Sequence, residues 1–215
     1  MPEKKLSQEE SGRSIEELER QIADLTEQIN AKRRAAPSSE VPDYALRTSS
    51  GQVRLSQLFA GHDKLLAIHN MGQRCRYCTL WADGINGFVP HLESSMAVAL
   101  LSKDPPDVQR RFANSRGWRF QLASHLGGDY IREQTTMEGE DNMPGVVLYQ
   151  KREGRIFRKN SAVFGPGDMF CPAWNFLAMA GLGVDTWTPQ FSYWQVPTKL
   201  EDGGANLLPV QLLED

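Results

Sequence analysis

Apolar residues recur at steps of three and four from Ile15 through Leu18, Ile22 and Leu25 to Ile29, with charged residues between them. That spacing is one face of a helix. Ser14 followed three residues later by Glu17 is a capping-box signature for its start. The stripe lasts about two heptads, short of the three or four of a free-standing coiled coil. It is therefore expected to dock on its own domain or on a second subunit. "RRAAPSSEVP", residues 33–42, then has the proline and serine content of a linker.

Beyond Tyr44 the period shifts. "YALRTSSGQVRLSQLF" reads as two short strands about a Ser-Ser-Gly turn followed by a helical turn. "KLLAIHN" (64–70) and "MAVALLS" (96–102) are nearly continuous apolar runs of buried-strand type. "DPPDVQRRFANSRG" (104–117) predicts a helix with Asp104 as acidic N-cap, proline at its first position and glycine at its end. "FQLAS" predicts a short strand at the edge of the sheet, "GVVLYQKREGRIFRKN" a hairpin turning at 152–154, and "GDMFCPAWNFLAMAG" a closing helix. The expected domains are an N-terminal helix and linker over 1–43, an α/β domain over 44–186 and a mostly irregular extension over 187–215. The central strands are expected to be parallel, with an antiparallel hairpin at one edge.

Composition limits the setting. The chain has 215 residues, enough for one well-buried domain and an addition, and its formal net charge of −3 gives no basic face for nucleic acid. The longest apolar run is too short to span a bilayer and the charged N-terminus lacks a signal core, so no membrane partner and a cytoplasmic location are expected. Three cysteines make no disulfide scaffold.

Two of the three stand in "QRCRYC" as Cys75-x-x-Cys78, where a buried strand ends and a helix begins. A redox couple, half of a metal site and a pair of packed small hydrophobes all remain open from the residues alone. A thiolate at a helix N-terminus faces unpaired N–H groups and the positive end of the helix dipole, which lowers its pKa. Arg74 and Arg76 flank Cys75 with positive charge. On this reading Cys75 is the exposed, acidic thiol and Cys78 the sheltered one. Zinc needs four ligands, which would have to include Cys171 and a histidine; no metal or other cofactor is expected. Cys171, His62, His91, His125, Trp81, Trp118 and Trp174 read as structural residues.

"LLAIHNMGQRCRYC" followed some seventy residues later by "NMPGVVLYQKREGR" resembles the thioredoxin fold. More narrowly, "CTLWADGINGFVPHL", "RGWRF" and "VRLSQLF" resemble an uncharacterised bacterial thioredoxin-like family catalogued as domain of unknown function eight-nine-nine. The resemblance implies a three-layer fold, with a mixed central sheet flanked by helices behind the N-terminal helical arm. It implies thiol–disulfide exchange on a protein or small-molecule disulfide, with Cys75 attacking and Cys78 resolving. Met143 and Pro144 match a cis-proline pair lining the substrate cleft, alongside Arg74 and Arg76. His69, six residues before the first cysteine, matches an ionisable position and is read either as a general base for Cys78 or as a structural histidine that hydrogen-bonds a backbone group. The sequence departs from thioredoxins in having no Trp before Cys75 and no Gly-Pro between the thiols. It departs from peroxiredoxins, the alternative thiol peroxidases, in lacking the Pro and Thr before the peroxidatic cysteine. A non-catalytic scaffold, dimeric through its N-terminal helix, is the other alternative.

Overall fold

The computed structural model describes residues 12–193. The chain divides between Pro37 and Ser38 into two units. The first contains α1 (Ile15–Ala35), whose capping box forms as the sequence predicts. Ser14 Oγ accepts the Glu17 N–H at 3.2 Å, and the Glu17 carboxylate accepts the Ser14 N–H at 2.9 Å. Lys32, Arg33 and Arg34 in the last turn face the negative end of the dipole. Pro37 disfavours helical backbone at Ala36, where α1 stops with ψ 137°. No residue of α1 is buried, so its apolar stripe has no cover within its own unit.

The second unit is built on one eight-stranded sheet. Its strands are β1 (Ser39–Val41), β2 (Ala45–Thr48), β3 (Gly51–Arg54), β4 (Lys64–Asn70), β5 (Ala97–Ser102), β6 (Gln121–Ser124), β7 (Gly145–Arg152) and β8 (Arg155–Val163). They lie in the order β1-β8-β7-β4-β5-β6-β2-β3. β4, β5 and β6 run parallel, and every other pairing is antiparallel. The helices are α2 (Arg76–Asn86), α3 (Val89–Leu92), α4 (Pro106–Arg116), α5 (Asp129–Glu133) and α6 (Ala173–Met179).

The inner order β8-β7-β4-β5, with α2 crossing from β4 to β5 and a β7–β8 hairpin returning, is the thioredoxin-like arrangement. All six residues of β5 are buried, as a central parallel strand covered on both faces requires. Alternation along β4 and β5 divides the core in two. Leu65, Ala67, Ala97, Ala99 and Leu101 pack with Leu55, Phe59 and Tyr130 on one face. Ile68, Val98 and Leu100 pack with Trp81, Ala82, Ala113, Trp118 and Trp174 on the other. Helices α2, α4 and α6 thus cover one face, and α5 with a 3-10 turn at Leu55–Phe59 covers the other.

Several expectations change. β6 is not an edge strand, because the β2–β3 hairpin pairs outside it through Arg47 and Ser124. Antiparallel hairpins therefore close the sheet on both sides, not one. β1 lies in the segment read as linker and pairs with β8 at Ile156 to Arg158. Its three residues are too few to show a period. The closing helix is shorter than expected because Asp168 binds the N–H groups of Gly165, Phe170 and Cys171 and shapes a turn before α6. Residues 187–193 form no helix or strand but still pack, with the Trp187 ring 5.5 Å from Trp174 and Phe191 6.1 Å from Phe112. The rest of the expected extension lies outside the described residues. No helix among the described residues is long and apolar enough to cross a membrane.

A candidate thiol redox site

β4 delivers Asn70 to the carboxyl edge of the sheet, and a tight loop then turns the chain into α2. Asn70 Oδ1 accepts the Gly72 N–H at 2.8 Å. Gly72 adopts φ +115°, open to glycine and costly for other residues. Its carbonyl accepts the Cys75 N–H at 3.0 Å. Cys75 is the N-cap of α2, and its Sγ accepts the Cys78 N–H at 3.1 Å. That bond satisfies one of the orphan donors at the helix start and places a sulfur at the positive end of the dipole. Cys78 Sγ sits further in and accepts the Met71 N–H at 3.5 Å. Both thiols are free.

The two sulfurs differ in acidity. The Cys75 pKa is lowered, chiefly by the hydrogen bond from the Cys78 thiol, against the opposing effect of burial, with help from the Cys78 and Tyr77 N–H groups and the Arg76 charge. The Cys78 pKa is raised well above the ordinary thiol value by burial, by its bond to Cys75 and by the neighbouring thiolate charge. The expected contrast in exposure is nearly absent. Cys75 is 8% exposed and Cys78 3%, because the N-cap position turns the Cys75 sulfur over the helix end instead of out to solvent. Charge and hydrogen bonding, more than access, distinguish the pair.

The flanking arginines part company. Arg76 is buried and its charge acts on Cys75, whereas Arg74 is exposed and its charge acts on Asp104. Asp104, expected to cap α4, is replaced in that role by Pro105. Its carboxylate turns across the sheet edge and accepts the Gln73 N–H at 2.6 Å.

Met143 and Pro144 do come to this edge. Gly145, the first residue of β7, pairs with His69, which leaves the two preceding residues level with the loop after β4. Asn142 Nδ2 approaches the Met71 carbonyl at 3.5 Å. There is no cis peptide bond among the described residues, so the expected cis Met143–Pro144 bond is trans. The β7–β8 ladder runs on through Pro144, whose carbonyl accepts the Phe164 N–H at 3.0 Å, so the chain continues past the proline in step with its partner.

His69 is buried, but the structure does not bring it to the thiols. It shares strand parity with Leu65 and Ala67, on the face opposite the one where Trp81 and Ala82 of α2 pack. Its Nε2 lies 2.8 Å from the Tyr130 hydroxyl, and its buried Nδ1 has no hydrogen-bond partner. Burial lowers its pKa to about 3, with the charges of His125 and Arg158 adding to the effect.

His69 ends a buried polar chain that sequence reasoning missed. Tyr44 donates to the Glu133 carboxylate at 2.6 Å, and Gln134 Nε2 donates to the Tyr44 oxygen at 3.0 Å. The Tyr149 hydroxyl lies 3.1 Å from Gln134 Oε1 and 3.2 Å from the Tyr130 hydroxyl. Oε1 can only accept, so the single Tyr149 hydrogen goes there and Tyr130 must donate to Tyr149. His69 Nε2–H then donates to Tyr130, which leaves Nδ1 as the bare lone pair. His125 stacks against the Tyr130 ring with centroids 6.2 Å apart, and its Nδ1 accepts the Gly127 N–H at 3.1 Å. Burial lowers its pKa to about 4. The residues come from four separate segments, and no local spacing in the sequence announces them.

Trp81, Trp118, Trp174 and Cys171 are core residues, as read. Among the described residues no group of three or more His, Cys, Asp or Glu side chains stands close enough to hold a metal ion.

Residues 8–198 match the model of the family described as "Bacterial protein of unknown function (DUF899)". The chain belongs to this family. No curated protein matches it. Among solved structures, the bacterioferritin comigratory protein of Xanthomonas campestris is 18% identical, with 67% of this chain and 96% of that one covered at a TM-score of 0.48. The peroxidoxin BcpB of Mycobacterium tuberculosis is 17% identical, with 60% and 85% covered at 0.46. A hypothetical protein of Sinorhizobium meliloti 1021 is 16% identical, with 71% and 89% covered at 0.44.

Proposed function

We propose that the protein is a thiol–disulfide oxidoreductase working through Cys75 and Cys78. The observation that carries this reading is the Cys75 sulfur at the N-cap of α2, held by the Cys78 N–H and thiol together. The Cys75 thiolate attacks one sulfur of a substrate disulfide, forming a mixed disulfide and expelling one substrate thiolate. Cys78 then loses its proton to solvent or to the departing thiolate and attacks Cys75 Sγ. The Cys75–Cys78 disulfide forms, the second substrate thiolate leaves, and two electrons have passed to the substrate. A dithiol reductant must restore the pair. On this reading Met143, Pro144 and Arg74 contribute to substrate binding, and the Arg76 charge helps to hold Cys75 as a thiolate.

The slight exposure of Cys75 favours a small substrate over a folded protein's disulfide. It therefore favours one second reading, reduction of a small hydroperoxide. There the thiolate takes the terminal oxygen to become a sulfenic acid as the alcohol departs, and Cys78 condenses with it to release water. A Cys78→Ser variant decides between them. With a chromogenic small disulfide it is expected to stall as a mixed disulfide at Cys75. Accumulation of sulfenic acid from hydroperoxide alone would support the peroxidase. Thiols that never pair across a redox titration of the wild type would leave only the scaffold.

A further inference from the structure

The loop that presents Cys75 is fastened from two strands. β4 and β5 are parallel neighbours with Asn70 level with Ser102. That pairing brings Asp104, two residues beyond β5, under the turn that follows β4. From the β4 side, Asn70 holds the Gly72 N–H. From the β5 side, Asp104 Oδ2 holds the Gln73 N–H at 2.6 Å, and the Asp104 N–H donates to Ser102 Oγ at 3.3 Å. The same carboxylate closes over Gly72, where an added Cβ would lie 2.7 Å from Asp104 Oδ1 and 3.0 Å from Oδ2. Gly72 in turn holds the Cys75 N–H through its carbonyl. A partly buried carboxylate has lost solvation that must be replaced. Burial raises the Asp104 pKa on balance, against the charge-assisted bond from the Gln73 amide and the Lys103 and Arg74 charges, which favour the ionised form.

We propose that Asp104 is a positioning residue for the nucleophile: its bond to Gln73 fixes the Asn70–Cys75 turn and thereby keeps Cys75 Sγ on the N–H groups of the first turn of α2. This rests on the redox reading of the pair. The carboxylate has two opposed effects on the thiolate. Its hydrogen bond keeps the sulfur in its cradle, while its negative charge repels the thiolate. Asp104→Asn separates them, since the amide oxygen still accepts from Gln73 but the charge is gone. Asp104→Ala removes both.

The Cys75 pKa, read from the pH dependence of alkylation in the full-length Cys78→Ser background, distinguishes the roles. Asp104→Ala is expected to raise it by about one pH unit, as loss of a hydrogen bond to a charged group would. Asp104→Asn is expected to leave it at or below the parent value. Asp104→Ser, too short to reach Gln73, replaces the alanine variant if that protein does not fold. An unchanged Cys75 pKa in the alanine or serine variant overturns the proposal, as does an equal rise in the asparagine variant. A parent Cys75 that titrates like an ordinary thiol would instead overturn the redox reading itself.

Discussion

Replacing Cys78 by alanine removes the hydrogen that contributes most to lowering the Cys75 pKa. A hydrogen bond to a charged acceptor is worth about 1.5 to 3 kcal/mol, and one pH unit corresponds to about 1.4 kcal/mol, so the Cys75 pKa is expected to rise by about one to two units. The N–H bonds from Cys78 and Tyr77 and the Arg76 charge survive the substitution, so Cys75 should remain an N-capping sulfur. Cys78→Ser retains a donor in the same place and should shift Cys75 less than alanine does. The assay is the pH dependence of Cys75 alkylation in the two variants, with Cys171 replaced by alanine to remove the third thiol. A Cys75 pKa equal in the alanine, serine and wild-type proteins would refute the thiol–thiolate hydrogen bond. A larger shift with serine than with alanine would refute it too.

Stability should fall on acidification because His69 and His125, with pKa values of about 3 and about 4, sit below the ordinary 6.5. Between those limits the unfolded chain binds protons that the folded chain refuses. The contribution is fully present above about pH 6.5 and is lost as pH falls toward the folded values, by up to about 1.4 kcal/mol per pH unit for each histidine. Denaturant titrations from pH 7 to 4.5 check this, and His69→Phe should flatten the slope. Nitrogen chemical shifts of His69 at neutral pH should show the Nε2–H tautomer, whereas an Nδ1–H tautomer would turn the Tyr130 hydrogen to His69 and leave the Tyr130–Tyr149 contact without one. Gly145→Ala should destabilise the domain by several kcal/mol or prevent folding, because its Cβ would lie 2.4 Å from the Ala162 carbonyl oxygen across the β7–β8 pair. If the Ile15–Ile29 stripe seats on a second copy, deleting residues 1–37 should turn a dimer into a monomer in solution; an unchanged number of subunits would exclude that arrangement.

Local signals in the sequence determined the elements around the thiols. The apolar run of β4 begins at Lys64 and ends at Asn70 in the sequence and in the structure alike, since a doubly covered strand must be apolar along its length. The capping box of α1 is equally local, as both of its bonds span three residues. The placement of Cys75 and Cys78 at a strand-to-helix junction, and hence the opposed acidities of the pair, follows from the same kind of short-range information. Only the tertiary structure decided what reaches that junction from elsewhere. Asp104 followed by prolines looks like a helix cap, and it becomes a clasp on Gln73 because β5 lies beside β4. His69 has the right spacing for a base near Cys78, yet strand alternation turns it to the other face, where Tyr130 from α5 meets it. Tyr44, Gln134 and Tyr149 join that chain across separations of up to 90 residues. Hydrophobic period and capping are written in neighbouring residues, whereas the partners of a buried polar group are chosen by which strands pair and which faces they share.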